Sequence, residues 1–136
     1  MRIPIRSGWI FAWLLITTSL ASGAALADNL VLLLVFWEGL LLTLFGMIAA
    51  GQARAYGTAI KAFIIVGATD LAMMLGVMLT AKAAGTLTMS AIHLPIDGIG
   101  GAAYLLLMVG AMGKAGAMPF HSWIPDAALD APLPFM

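Results

Sequence analysis

The chain has no cysteine among its 136 residues. Disulfides, thiol redox chemistry and cysteine-ligated metals are therefore excluded. Charge is scarce as well: Asp, Glu, Lys and Arg make up 9% of the residues, where a soluble domain has roughly 25%. So little charge cannot cover a water-facing surface, whereas 63% hydrophobic residues fit a helix bundle whose outer face meets lipid. The formal net charge is zero and no basic patch is present, so no nucleic-acid partner is expected.

Chemical motifs are also lacking. The sequence contains no metal-ligand cluster, nucleotide-binding loop, dinucleotide fingerprint or nucleophile triad. The one Gly-Lys pair, Gly113-Lys114, lacks the Walker spacing and lies in an apolar stretch. We therefore expect no cofactor, no metal and no catalytic residue in this chain by itself.

Four long apolar stretches determine the predicted fold. Each is close to the roughly 20 residues with which a helix crosses a bilayer. The stretches are continuous and not alternating, which favours helices over barrel strands. We predict an all-α fold, a single transmembrane domain over residues 1–136 with four spans, the last of them discontinuous near Pro119. The spans run from about Gly8 to Ala27, Asn29 to Ala50, Thr58 to Thr80 and Gly100 to Met118.

The tail after the fourth stretch is rich in proline, at positions 119, 125, 132 and 134. Proline lacks a backbone donor and breaks helices, so the pattern predicts a broken helix followed by extended chain.

The first stretch has two interpretations. Arg2 and Arg6 precede its apolar core, and Ala25-Leu26-Ala27 resembles a signal-peptidase site, as in a secreted protein with a cleaved leader. The core is long, however, and Asp28 leads into the next span almost without a loop, which favours a helical hairpin. Whether residues 1–27 are cleaved stays open.

The distribution of basic residues predicts the orientation in the membrane. With a cytoplasmic N-terminus, only Lys82 lies on the outer side, and positive residues prefer the inside. The tail from Phe120 to Met136 is then cytoplasmic too. The basic residues on the inner side are Arg2, Arg6, Arg54 and Lys61.

Apart from Lys61 near the start of the third stretch, three charged residues lie inside the apolar stretches: Glu38, Asp70 and Lys114. Each costs about 2.5–3.5 kcal/mol to place centrally in a lipid-facing helix, so such residues face a bundle interior, a water-filled cavity or one another. A carboxylate that approaches or leaves a buried lysine changes whether that lysine holds its proton. We therefore predict a proton relay with Glu38 and Lys114 as a switch and Asp70 as a modulator. The alternative is a structural ion pair that fixes helix packing.

Other residues carry weaker signals. His121, just after Pro119, either passes protons near neutral pH or is an ordinary interfacial residue. Gly110, Gly113 and Gly116 recur around Lys114, which favours close helix packing. Trp37 lies too deep for an interface anchor and is expected to pack in the core.

Two motifs resemble those of the antiporter-like membrane subunits. Residues 28–38 are similar to the family's "DNLLLLFVFWE" helix, and residues 113–127 to its "GK(S/A)…PFHSWLPDA" signature. Both occur in the family's order, separated by one more span. The family includes the large membrane subunits of NADH–quinone oxidoreductase, those of Mrp-type antiporters and those of energy-converting hydrogenases.

The resemblance implies roles for the same residues. Glu38 matches the glutamate of the family's fifth transmembrane helix, Lys114 the lysine of its discontinuous seventh helix, and Asp70 an acid found in the sixth helix of some members. In the family these residues belong to a half-channel that carries protons and is coupled to redox chemistry in a separate arm. The resemblance thus implies a partial proton-translocating subunit of a complex I-like or membrane-bound hydrogenase-like complex, without electron transfer of its own. The alternative is a structural scaffold or a fragment without transport activity.

The chain matches only about the fourth to seventh helices of a full-length member. The resemblance therefore implies partner membrane subunits in a prokaryotic cell membrane, one of them supplying the missing helices. Leu133 stands where the family usually has threonine, and the arginine common near Asp70 is absent. These departures favour the hydrogenase-type branch. The resemblance implies the proton as the transported ion, with sodium left open.

Overall fold

The computed structural model of the chain describes residues 7–51 and 53–132. Arg2, Arg6 and Leu133, on which some of the predictions rest, lie outside the described residues. The described part contains five α-helices, a short 3₁₀ turn at Met89–Ala91 and no β-strand. The all-α prediction is confirmed. The helices are α1 (Ser7–Leu26), α2 (Leu30–Ala49), α3 (Ala55–Ala84), α4 (Gly98–Ala115) and α5 (Trp123–Asp130).

Helices α1 to α4 are each long and apolar enough to cross a membrane, as predicted. Three of them lie close to the predicted bounds, whereas α3 extends further at both ends. At 1.5 Å per residue, the 30 residues of α3 span about 45 Å, more than the roughly 30 Å of a hydrocarbon core. The helix is therefore long enough to contact both the membrane-spanning helices and the segments at their ends.

Helix α3 lies at the centre of the bundle and packs against α2, α4 and α5, while α1 packs mainly on α2. Glycines bring the helices together. A Cβ on Gly110 or Gly113 would collide with α3, and a Cβ on Gly76 would lie only 3.0 Å from the Leu107 backbone nitrogen of α4. The packing interpretation of Gly110 and Gly113 is therefore confirmed, because only a hydrogen at these positions lets the two backbones approach so closely.

The turn between α1 and α2 is fastened to the loop between α3 and α4. The Asp28 carboxylate accepts hydrogen bonds from the Ser90 amide at 2.7 Å and from the Ser90 hydroxyl at 2.6 Å. Backbone bonds flank this contact, from Leu30 N to Leu87 O and from Met89 N to Asp28 O, both at 2.9 Å. We call this set of contacts the Asp28 clip. It closes one end of the bundle outside the membrane-spanning helices.

The Asp28 clip is expected to weaken in acid. The Ser90 hydroxyl and the Ser90 amide hold the pKa of the Asp28 carboxyl below its usual value. A carboxyl with a lowered pKa in the folded state stabilises the fold above the unfolded pKa of about 3.9, and this contribution disappears as the pH falls through the folded pKa. Asp28→Asn should therefore lower the thermal unfolding midpoint slightly at neutral pH in detergent micelles, and the difference from the native chain should vanish in acid.

Asp97 offers a matched control for this prediction, because it lies in the loop that contains Ser90 and its side chain makes no capping hydrogen bond. Asp97→Asn should leave the midpoint unchanged at neutral pH. An Asp28→Asn effect of equal size at neutral and acid pH would contradict the assigned contact.

The tail after α4 differs from the predicted extended chain, because residues 123–130 form helix α5. Pro125 lies in the first turn of α5, where a backbone N–H has no partner within the helix, so proline is tolerated there. Extended backbone begins only at Ala131. The prediction of extended chain from Pro119 onward was therefore wrong over these eight residues.

Helix α5 packs along the first half of α3 and completes the main apolar core. Trp123 and Ala127 are buried against Ala59 and Ala62 of α3. Polar contacts add to this packing: the Lys61 ammonium lies 2.7 Å from the Asp126 carboxylate, and the Thr58 hydroxyl donates to Asp130 at 2.6 Å. This part of the tail therefore lies beside α3. The predicted cytoplasmic orientation of that end stays a prediction.

Candidate functional site

Helix α4 ends at Lys114-Ala115, beside the middle of α3. Gly116 has a left-handed conformation with φ of 66°, which favours glycine. The Ala117 amide donates to Met112 O at 2.9 Å and the Gly116 amide to Gly113 O at 3.2 Å, which is a Schellman ending. The predicted discontinuity is confirmed, with the break between α4 and α5. Lys114 thus lies in the last turn of α4, where the helix dipole favours a positive charge.

The Lys114 ammonium has three neighbours. It donates a hydrogen bond to the backbone carbonyl of Trp37 at 2.7 Å. It lies 3.2 Å from Asp70 Oδ2, close enough for an ion pair, although that oxygen has no hydrogen bond of good geometry. It also lies 4.6 Å from the centroid of the Trp37 ring, within cation–π distance. The side chain of Lys114 is 17% exposed, so the charge is largely removed from solvent.

Asp70 is the more deeply buried partner, with 2% of its side chain exposed. Its Oδ1 accepts a hydrogen bond from the Trp37 indole N–H at 2.8 Å. A buried carboxylate is tolerated only when it is paired and hydrogen-bonded. Lys114 and Trp37 supply both kinds of contact, so Asp70, Lys114 and Trp37 form a closed polar cluster in an apolar bundle.

The observed pairing differs from the predicted one. Sequence reasoning placed Glu38 against Lys114 and gave Asp70 a secondary place, whereas the structure places Asp70 against the ammonium. The reason is helix rotation. Successive residues are about 100° apart around a helix, so the side chains of Trp37 and Glu38 leave α2 in different directions. In α2 it is Trp37 that faces Asp70 and Lys114.

Glu38 nevertheless has a buried polar atom. Its Oε1 is shielded from solvent and has no hydrogen-bond partner within the described chain. A buried acceptor without a partner is destabilising. A proton, a water molecule or a donor from another helix would stabilise this carboxyl group. In residues 7–51 and 53–132 no three His, Asp or Glu side chains are grouped as metal ligands would be.

His121 lies apart from this cluster. It is exposed in the segment between α4 and α5, and its backbone carbonyl accepts a hydrogen bond from Ile124 N at 3.0 Å. Trp37, in contrast, belongs to the cluster, although sequence reasoning expected only core packing from it. The missed signal was its indole N–H, because a donor at that depth in a membrane needs an acceptor.

Glycine contacts determine how closely the two charged helices approach. Gly113 precedes Lys114 and faces Thr69, which precedes Asp70. A Cβ on Gly113 would overlap the side chain of Thr69. The distance between the ammonium and the carboxylate therefore depends on the absence of a side chain at position 113.

Sequence comparisons place the chain among known membrane proteins. A sequence model of the family described as "NADH:quinone oxidoreductase/Mrp antiporter, TM" matches residues 27–136. One relative, from Rhizobium meliloti (strain 1021), is named as part of a "Probable K(+)/H(+) antiporter". It is 34% identical over 119 residues, which are 82% of this chain and 12% of that protein.

Two further relatives have related names. One belongs to an Na(+)/H(+) antiporter of Staphylococcus epidermidis (strain ATCC 35984) and is 31% identical over 135 residues, 93% of this chain and 17% of that protein. The other belongs to the NADH-quinone oxidoreductase of Mycobacterium bovis (strain ATCC BAA-935) and is 34% identical over 116 residues, 79% of this chain and 22% of that protein. The chain thus spans less than a quarter of the length of these relatives.

Proposed function

Because the chain belongs to the NADH:quinone oxidoreductase/Mrp antiporter transmembrane family, as its two motifs predicted, we propose that it is a proton-translocating membrane subunit of a complex I-like assembly. The observation that supports this most is the buried pair of Lys114 and Asp70. A second carboxyl group, on Glu38, follows Trp37 in α2 and has a buried oxygen. Ionisable groups are expensive inside a membrane and mark ion pathways.

The proposed relay uses these groups in turn. The Lys114 ammonium, held by Asp70, gives its proton to an acceptor on a neighbouring helix or to water. The resulting amine is reprotonated from the Glu38 carboxyl group, whose buried oxygen is without a partner in the described chain. Asp70 favours the charged form of Lys114 at rest, because an adjacent opposite charge stabilises an ammonium. His121, exposed at the helix break, is proposed to exchange protons with solvent.

The transported ion and the source of energy for transport are also proposed here and not observed. By name, the relatives exchange K⁺ or Na⁺ for H⁺ or belong to a quinone oxidoreductase. For this chain we propose redox-driven proton movement, with sodium as the alternative ion. The relationship to energy-converting hydrogenases stays a prediction from the sequence.

We propose that the chain lies in a prokaryotic cell membrane with its N-terminus cytoplasmic. Its partners would be other membrane subunits of the same complex. We also propose that α1 is retained as a membrane helix. Gly23 of α1 packs on Phe36 and Trp13 on Gly46 of α2. An alignment that covers 93% of the chain also includes most of the first stretch. A mature N-terminus at Asp28, found by N-terminal sequencing, would contradict this.

The test is redox-driven acidification in everted membrane vesicles that contain the assembled complex, normalised to the amount of complex. Lys114→Ala and Glu38→Gln should each reduce proton movement by at least about tenfold, since removing a positioned proton-transfer group typically costs 10²–10⁴-fold. Lys82→Ala is the matched control, because Lys82 is exposed in the last turn of α3. Unchanged pumping in either variant would reject the proposal. Collapse of a preset pH gradient on adding Na⁺ or K⁺, without an electron donor, would indicate cation exchange instead.

A structural scaffold is the competing function. The ion pair and the close glycine contacts of α3 and α4 favour it, because both fix helix packing. A scaffold predicts less assembled complex in the Lys114 and Glu38 variants but the native pumping rate per complex.

A further inference from the structure

One residue, Trp37, contacts both members of the buried ion pair. Its indole N–H donates to Asp70 Oδ1 at 2.8 Å, and its backbone carbonyl accepts from the Lys114 ammonium at 2.7 Å. The ammonium also lies 4.6 Å from the centroid of the indole ring. Each contact favours the charged form of the group it touches, because a donor stabilises a carboxylate and a ring face stabilises a cation.

The second carboxylate, on Glu38, makes no ion pair with the ammonium. Within the described residues, the ion pairs join Lys114 to Asp70 and Lys61 to Asp126, so Glu38 lies beyond ion-pair distance of Lys114. Glu38 follows Trp37 in α2, and its side chain leaves the helix about 100° further round.

We propose that Trp37 is a positioning residue that selects Asp70 over Glu38 as the partner of Lys114. Its N–H holds the Asp70 carboxylate toward Lys114, and its ring and carbonyl hold the ammonium there. Glu38 is thereby left unpaired and able to take up a proton. Movement of the indole releases Lys114 toward Glu38. The inference rests on the proposed proton relay for its functional meaning, while the contact itself can be tested without transport.

The first test is spectroscopic and uses the full chain labelled with ¹⁵N at the indole nitrogens. The resonance that disappears in Trp37→Phe belongs to Trp37. Asp70→Ala should move that resonance, and Asp70→Asn should move it less, because the amide still offers an oxygen. Asp126→Ala is the control, since Asp126 pairs with Lys61 on the half-exposed face of α5. A Trp37 resonance that responds equally to Asp70→Ala and to Asp126→Ala would overturn the proposal.

The second test is a double-mutant cycle in the assembled complex. The fold-loss of transport caused by Asp70→Asn and that caused by Glu38→Gln are measured in the native and the Trp37→Phe backgrounds. Phenylalanine keeps a ring but lacks the N–H donor. The quantity compared is the ratio of the loss from Asp70→Asn to the loss from Glu38→Gln. This ratio should be about threefold or more smaller in the Trp37→Phe background than in the native one, a coupling typical of residues in one network. Trp13→Phe, whose ring packs on Gly46 of α2, should leave the ratio unchanged.

The results distinguish failure of the proton relay from failure of the positioning role of Trp37. If Lys114→Ala leaves transport intact, the proton relay itself is rejected. If Lys114 is required but the ratio is the same in the Trp37→Phe and native backgrounds, the positioning role of Trp37 alone is rejected.

Discussion

Replacing Lys114 with methionine is expected to destabilise the folded chain by about 3–5 kcal/mol, the range for breaking a buried ion pair. The substitution leaves the carboxylate of Asp70, 2% exposed, without its counter-charge. The hydrogen bond from Trp37 remains but does not neutralise the charge. The free energy of unfolding in mixed detergent micelles, titrated with a denaturing detergent, measures the loss.

Replacing both partners should recover most of that loss. In the double variant Lys114→Met with Asp70→Leu, neither charge of the pair remains, and apolar replacements of buried pairs are often neutral or stabilising. Lys61→Met is the matched control, because Lys61 and Asp126 form a half-exposed pair, 42% and 45% exposed. Its effect should be about 0–1 kcal/mol. A double variant as unstable as Lys114→Met alone would show that the two side chains do not depend on each other.

The second large effect is expected at Gly113. Gly113→Ala places a methyl group where the Thr69 side chain lies, so α4 must move away from α3. Overpacking of this kind costs roughly 1–3 kcal/mol. The shift also lengthens the distance between Lys114 and Asp70, the residues that follow Gly113 and Thr69. Both the free energy of unfolding and the transport per complex should therefore fall.

Gly57→Ala provides the comparison, since nothing lies within 4 Å of a Cβ at that position of α3. There the alanine should be neutral, or stabilising by up to about 1 kcal/mol through helix propensity. An equal loss in the free energy of unfolding for Gly57→Ala and Gly113→Ala would contradict the close approach assigned to Gly113. Such a result would mean that any glycine substitution in this bundle is costly.

Much of this fold could be predicted from hydropathy, because a membrane helix needs about 20 apolar residues wherever it packs. The same reasoning selected Glu38, Asp70 and Lys114, since charge at that depth is too expensive to be incidental. Helix α5 was missed because proline was taken as a breaker, whereas in the first turn of a helix Pro125 breaks no bond.

The pairing inside the site could not be predicted in the same way. It depends on how each helix is rotated, and a helix that is apolar on every face gives little periodic signal about which side faces its neighbours. Depth alone did not distinguish Glu38 from Asp70, and the sequence prediction paired Lys114 with Glu38. The rotation of α2 that turns Trp37 toward α3 is what distinguishes them. For the same reason Trp37 was expected only to pack.

We propose that the buried pair of Lys114 and Asp70 carries protons as well as holding two helices together. The most direct test is the transport rate per assembled complex in the double variant Lys114→Met with Asp70→Leu, measured beside its stability. We expect assembly near the native level with proton movement lost. Native proton movement in a complex that lacks both charges would contradict the claim.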